Sequence, residues 1–464
     1  MKFKTTLVLL AVFAGLLALV LLFDSKGEKK KAAEEKTNTL ISLAPGDIRK
    51  ASLVRDGKTL TFERDEAGPW RLTSPLQAAA DDTEVGSFVD SLASLRIERV
   101  VEKEAKDLSA YEIPKIEVSL WVKGEDAPVR LLVGMENPLD KTFFAKREDD
   151  PRVVLLASTL KTTLDKKIFD FRQKDVFKFS VDDAKTIRVR AKSLAWQAQC
   201  EETGWFLKAP VAAPAAKGKV ESLLDSLSGL RAKAFVAEAK TAETLKKFGL
   251  DKPEYEVFLS LPASSQEIVF SLHQEGEAFY ATTSLSAKVI AFDGTLLTDL
   301  DRKVDAMRET KVADFYSWEA DKVSLKRDTF ELAAVKEKVG EEEKWILDPA
   351  TKEEAARTKV EDFLRKVEGL EAVAFVDNPG PLAGYGLDPG TEIRIRTKDA
   401  QGTVKETVLL IGKVDAEKKQ VVVKTAELAY LFHVDSGFLQ DFPKEKKDWK
   451  AEPPKSEEGK ADKK

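Results

Sequence analysis

A short motif, tryptophan and leucine two residues apart followed by proline, occurs three times in this chain. Trp70, Leu72 and Pro75 recur as Trp205, Leu207 and Pro210, and again as Trp345, Leu347 and Pro349. The tryptophans stand 135 and 140 residues apart. Repeats of about 20–50 residues stack into solenoids, whereas this interval is the length of a whole domain. The chain therefore reads as one domain built three times. In the third copy the proline comes one residue early, so the turn there must differ.

A second feature keeps the register. Val85, Phe88, Val89, Leu92 and Leu95 return as Val220, Leu223, Leu224, Leu227 and Leu230, then as Val360, Phe363, Leu364, Val367 and Leu370. Such spacing lies on one helical face, so each copy carries an amphipathic helix with a core-facing stripe. Asp81 with Glu84, and Thr351 with Glu354, have capping-box spacing; the second copy begins Lys217-Gly218-Lys219 without one. An apolar pair follows each helix (Val100-Val101, Phe235-Val236, Phe375-Val376), and then an aromatic-Gly-Leu-Asp element. It is Phe248-Gly249-Leu250-Asp251 in the second copy, Tyr385-Gly386-Leu387-Asp388 in the third and a shortened Tyr111-Glu112-Ile113-Pro114 in the first. Alternating strands come next, and a later one reaches Leu132-Val133-Gly134 or Leu410-Ile411-Gly412, with Ser271-Leu272-His273 in the second copy.

Asp56-Gly57 between two strand-like runs is a strong hairpin signal, because a type I′ turn needs positive φ. With few helices and no βαβ alternation, the predicted class is α+β: three tandem domains of antiparallel sheet, each packed with one main helix. The expected boundaries are 46–178, 179–314 and 315–443. Arg172, Val176 and Phe179 match Arg308, Val312 and Phe315 at the joints. Neither joint is rich in Gly or Ser, so the domains are expected to dock rather than swing.

The N-terminus predicts a membrane anchor over 1–23. Residues 5–23 carry no charge, and a helix of that length covers roughly 28 Å, about a hydrocarbon core. A cleaved signal peptide has a shorter apolar run ending in a small-x-small site; here Asp24-Ser25-Lys26 follows. The charged residues 24–45 read as a tether and 444–464 as a disordered tail. Lys26, Lys29, Lys30, Lys31 and Lys36 outnumber the lysines before the anchor, which by the positive-inside rule favours a cytoplasmic body. A short N-terminal anchor of this kind nevertheless behaves as an uncleaved export signal. The expectation is a single pass through the bacterial inner membrane with the body on the periplasmic side.

Chemistry is harder to find. Lys and Arg number 75 against 80 Asp and Glu, a net charge of -5, without the strongly basic character nucleic-acid binding wants. The single cysteine, Cys200, permits neither a disulfide framework nor a thiolate metal site. No phosphate-binding, dinucleotide, nucleophile-elbow or zinc-protease motif occurs. His273 and His433 fall at non-equivalent repeat positions, and Asp81, Asp82 and Glu84 lack calcium-loop spacing. No catalytic residue, cofactor or metal ligand is assigned, and the chain is expected not to be an enzyme. The repeated tryptophans are read as core residues facing the helix stripe; a stacking platform for sugar or peptide is the alternative.

The W-x-L-x-x-P motif, the helix stripe after it, the aromatic-Gly-Leu-Asp turn and the L-x-I-G strand together resemble the domain-of-unknown-function 4340 family of bacteria. The resemblance runs from Gly46 to Trp449. It implies an N-terminal anchor followed by copies of this domain. It also implies an envelope accessory role, since such proteins accompany gliding-motility-type ABC exporters. No residue role comes with it. The expected function is thus a membrane-anchored, non-enzymatic scaffold or adaptor with an ABC transporter or other envelope protein as partner. The alternative is an envelope glycan- or peptide-binding protein or hydrolase with a pocket specific to one copy.

Overall fold

The computed structural model describes residues 38–66, 68–192 and 194–451. The apolar run 5–23 and the end of the chain, 452–464, lie outside them. Among the described residues no helix is long and apolar enough to cross a membrane.

Each copy builds the same nine-stranded sheet, antiparallel throughout. In the first copy the order across the sheet is Ala78–Ala79, Arg71–Ser74, Lys58–Glu63, Ile48–Arg55, Ile116–Val122, Val129–Glu136, Phe143–Arg147, Val153–Leu156 and Arg99–Glu102. Chain neighbours pair as hairpins up to the helix α1 (Asp82–Ala93), after which the chain crosses to the far edge. The hairpin at Asp56-Gly57 closes with φ of 52° and 70° and pairs Arg55 with Lys58. Asp81 caps α1 by accepting the Glu84 N–H at 3.2 Å. Val85, Phe88, Val89 and Leu92 of α1 are buried in the core, where the rings of Phe62, Phe88 and Phe171 meet at 4.7–5.9 Å.

The second sheet has α2 (Lys217–Ser228) and the third α3 (Arg357–Glu368) in the same place. In both, the residue before the helix is alanine, Ala216 or Ala356, with no side-chain cap. Thr351 and Glu354 therefore do not form the expected capping box; Glu353–Glu354 is a short strand instead. Backbone holds that helix start: the Ala355 N–H donates to Trp345 and the Ala356 N–H to Trp449. Sheet dominates the three domains, with one twelve-residue helix in each, so α+β describes the fold only loosely.

The domain limits shift at both ends. Thr39–Ser42, assigned to the tether, pairs with Ser94–Arg96 and buries Leu40 and Ile41. The last part of the expected tether is uncharged, and Leu43 packs on the same core as Leu40 and Ile41. Residues 444–451 are not tail. A short 3-10 turn, Lys446–Asp448, leads to a buried Trp449 whose ring lies 5.2 Å from Phe363. Lys450 then bridges Ala355, as Arg172 bridges Ala80 and Arg308 bridges Ala215. The closing segment of every copy thus returns to the residue two positions before its helix, and in the third copy it runs to Ala451.

The chain forms two compact units that divide after Asp175. The first is the first copy. In the second unit Val176 donates to Leu230 of the second domain, and Val312 and Ala313 are buried in the third core. Each joint therefore passes to the next copy about three residues earlier than its expected boundary. Within this unit Ala213 of the second copy is buried in the third core, and Arg308 is fully enclosed.

Candidate functional site

The motif tryptophans are buried, Trp70 to 4%, Trp205 to 5% and Trp345 to 2% exposure. Each belongs to the core cluster of its own copy, together with the leucine two residues on and the helix stripe. Pro75 and Pro210 follow cis peptide bonds; Pro349, one residue early, does not share that turn.

Trp70 differs from its counterparts in what surrounds it. Trp70 is among the residues lining an open cleft of about 560 Å³ between the Gly68-Pro69 turn and α1. The Arg64 guanidinium lies over this ring, 4.5 Å from its centre. Arg64 is fixed there by donating from Nε to Ile48 O at 2.9 Å and from Nη2 to Pro45 O at 2.8 Å. Burial, with Arg49 close by, lowers the Arg64 pKa from its ordinary value, while Asp90 and Asp82 oppose the shift. The Trp70 backbone N–H donates to Asp82 Oδ1 at 2.6 Å, which ties the entry strand to the first turn of α1.

The opposite wall is the outer row of α1. Asp82, Gly86 and Asp90 are spaced four apart and so share one face, and all three line the cleft. A Cβ at Gly86 would meet nothing within 4 Å. The same row reads Lys217, Glu221 and Asp225 on α2, and Arg357, Glu361 and Arg365 on α3. There the central position is a glutamate paired along the helix, Lys217 to Glu221 at 3.7 Å and Arg357 to Glu361 at 2.7 Å. Only the first copy leaves that turn bare. An arginine held over an aromatic ring and facing two carboxylates can hydrogen-bond a polar ligand of either sign. The volume falls in the range of ligand sites, about 300–1,000 Å³.

Arg64, Asp82, Gly86 and Asp90 were not singled out from sequence as binding residues. The signal that finds them is a comparison of the outward helix positions across copies, rather than of the buried ones. The other residues weighed for chemistry stay apart. Cys200 is a half-buried free thiol. His273 lies on the strand Ile268–Glu275 and His433 on Leu431–Asp435. Among the described residues no three His, Cys, Asp or Glu side chains converge as a metal ion would require.

A family model described as Domain of unknown function (DUF4340) matches residues 70–206 and 205–381. Both matches begin at a motif tryptophan. No curated protein and no solved structure matches the chain.

Proposed function

The chain belongs to the DUF4340 family, and from that premise we propose that it is a membrane-anchored, non-enzymatic envelope scaffold or adaptor, accessory to a gliding-motility-type ABC transporter. The apolar run 5–23 is its anchor in the inner membrane, and the body works on the periplasmic side. The three domains share their core positions, so recognition belongs to surfaces on which the copies differ. The observation that carries this reading is the bare turn at Gly86, where the other copies hold Glu221 and Glu361. We place partner engagement there.

Affinity purification of the solubilised full chain tests the proposal. Transporter subunits should be recovered with the native chain, and lost when Gly86→Glu installs the residue of the other copies. A native chain that recovers no envelope protein and instead retains a small molecule would overturn it. That second outcome matches the alternative, a glycan- or peptide-binding protein, which the open cleft lined by Arg64, Asp82 and Asp90 beside the buried Trp70 favours.

A further inference from the structure

A second opening in the first copy lies at the other end of its strands, under the Asp56-Gly57 hairpin. Its volume is about 670 Å³, and it shares no residue with the Gly86 cleft. Side chains along a strand alternate between faces, so Lys58 points to the same side as Leu60 and the fully buried Phe62. Arg55, directly across the hairpin, likewise shares the face of Leu53 and Ala51. Two cations therefore stand on the core-facing side of the sheet.

The equivalent of Lys58 after the turn is Leu194 in the second copy and Phe330 in the third. Both of those pack against their own cores. The first copy thus has a lysine where the other two have an apolar plug, and the space beneath it is open. Leu53, Leu60 and Ile168 form an apolar floor, with Lys58 and Lys167 at the rim. Arg55 donates to Leu164 O and lies 3.5 Å from Asp165, and Lys166 is paired with Glu84 at 2.6 Å. Lys58 and Lys167 have no ion-pair partner among the described residues.

We infer that this opening binds an anionic amphiphile, with the acid group between Lys58 and Lys167 and the proximal hydrocarbon on Leu53, Leu60 and Ile168. The apolar floor separates this site from one for a bare anion. A compact opening of this size suits a small molecule, not the extended basic stripe that a nucleic acid needs. The inference stands independently of the adaptor reading.

Native mass spectrometry of the full chain, released from a non-ionic detergent with oleate or with oleyl alcohol, tests it. One oleate per chain should remain bound and oleyl alcohol should not. Lys58→Leu, which supplies the plug of the second copy, and Lys167→Glu, which reverses the rim charge without filling space, should each weaken retention about tenfold. In a further arm phosphatidylglycerol is added: displacement of oleate identifies a membrane lipid as the natural source, and persistence of oleate identifies a free carboxylic acid. Equal retention of oleate and oleyl alcohol, undiminished binding by both variants, or displacement of oleate by inorganic phosphate would overturn the inference.

Discussion

Arg308 Nη1 donates to Asp377 Oδ1 at 2.8 Å, joining the last segment of the second domain to a strand end of the third. The guanidinium is fully buried and lies against two rings, 3.8 Å from the centre of Phe375 and 4.2 Å from that of Tyr430. Burial of so large a cation is tolerated because a carboxylate and two π faces replace its water. Lys450, the matching residue at the end of the third copy, instead pairs with Glu353 of its own domain at 3.0 Å.

Removing this cation should loosen the joint. Arg308→Ala is expected to destabilise the second unit by roughly 2–4 kcal/mol, toward the lower end of buried-pair losses because Asp377 keeps access to water. Arg308→Lys should recover only part, since an ammonium cannot lie flat between two rings. Urea denaturation followed by tryptophan fluorescence reads both.

Trp70→Ala should cost about 3–5 kcal/mol as a large buried aromatic is removed from the core. Thermal unfolding measures it. An unchanged melting temperature would remove Trp70 from the core account and leave it as a ligand platform.

Two glycines of the first domain should respond in opposite directions. A Cβ at Gly134 would lie 2.1 Å from Tyr111 O, so Gly134→Ala must displace backbone and should destabilise strongly. Gly86 sits inside α1 with open space around it, and Gly86→Ala should stabilise by about 0.5–1 kcal/mol through helix propensity. Melting temperatures of the two variants, measured side by side, check the contrast.

Asp150 gives the first domain a pH dependence. Hydrogen bonds from Arg152, including Nη2 at 2.6 Å, hold its carboxyl below the ordinary range. A lowered folded value means stability that is complete above the unfolded pKa of about 3.9 and is lost as pH falls through the folded one. The native chain should therefore be more stable than Asp150→Asn at neutral pH, and the gap should narrow below about pH 4. Urea midpoints at several pH values decide it.

The repeated core was legible in the sequence because burial constrains residue type and spacing together. The first four residues of each helix stripe and the Asp56-Gly57 turn appear at their expected positions, whereas Leu95, Leu230 and Leu370 are buried just beyond the helix ends. The departures between copies were visible as letters, but their meaning needed coordinates. Gly134 and Gly412 each give room to a tyrosine carbonyl, Tyr111 or Tyr385. In the second copy His273 takes that position and its ring rests on Gly249, the left-handed turn glycine that the third copy also has as Gly386. The third domain's closing segment was missed because Trp449 is a lone aromatic among charges, and its partner Phe363 lies far back in the sequence. The two openings were missed for a related reason. At Gly86 the side chain that two copies carry is absent, and at Lys58 an apolar side chain gives way to a lysine; neither change leaves a hydrophobic pattern.

The central claim is that the first copy recognises the partner through the turn its counterparts fill. A photo-crosslinking amino acid placed in turn at Gly86, Glu221 and Glu361, followed by irradiation of intact cells and identification of the adducts, tests this most directly. The account predicts an envelope-protein adduct from position 86 and none from 221 or 361. Adducts of equal yield from all three helices, or from 221 or 361 and not 86, would contradict it.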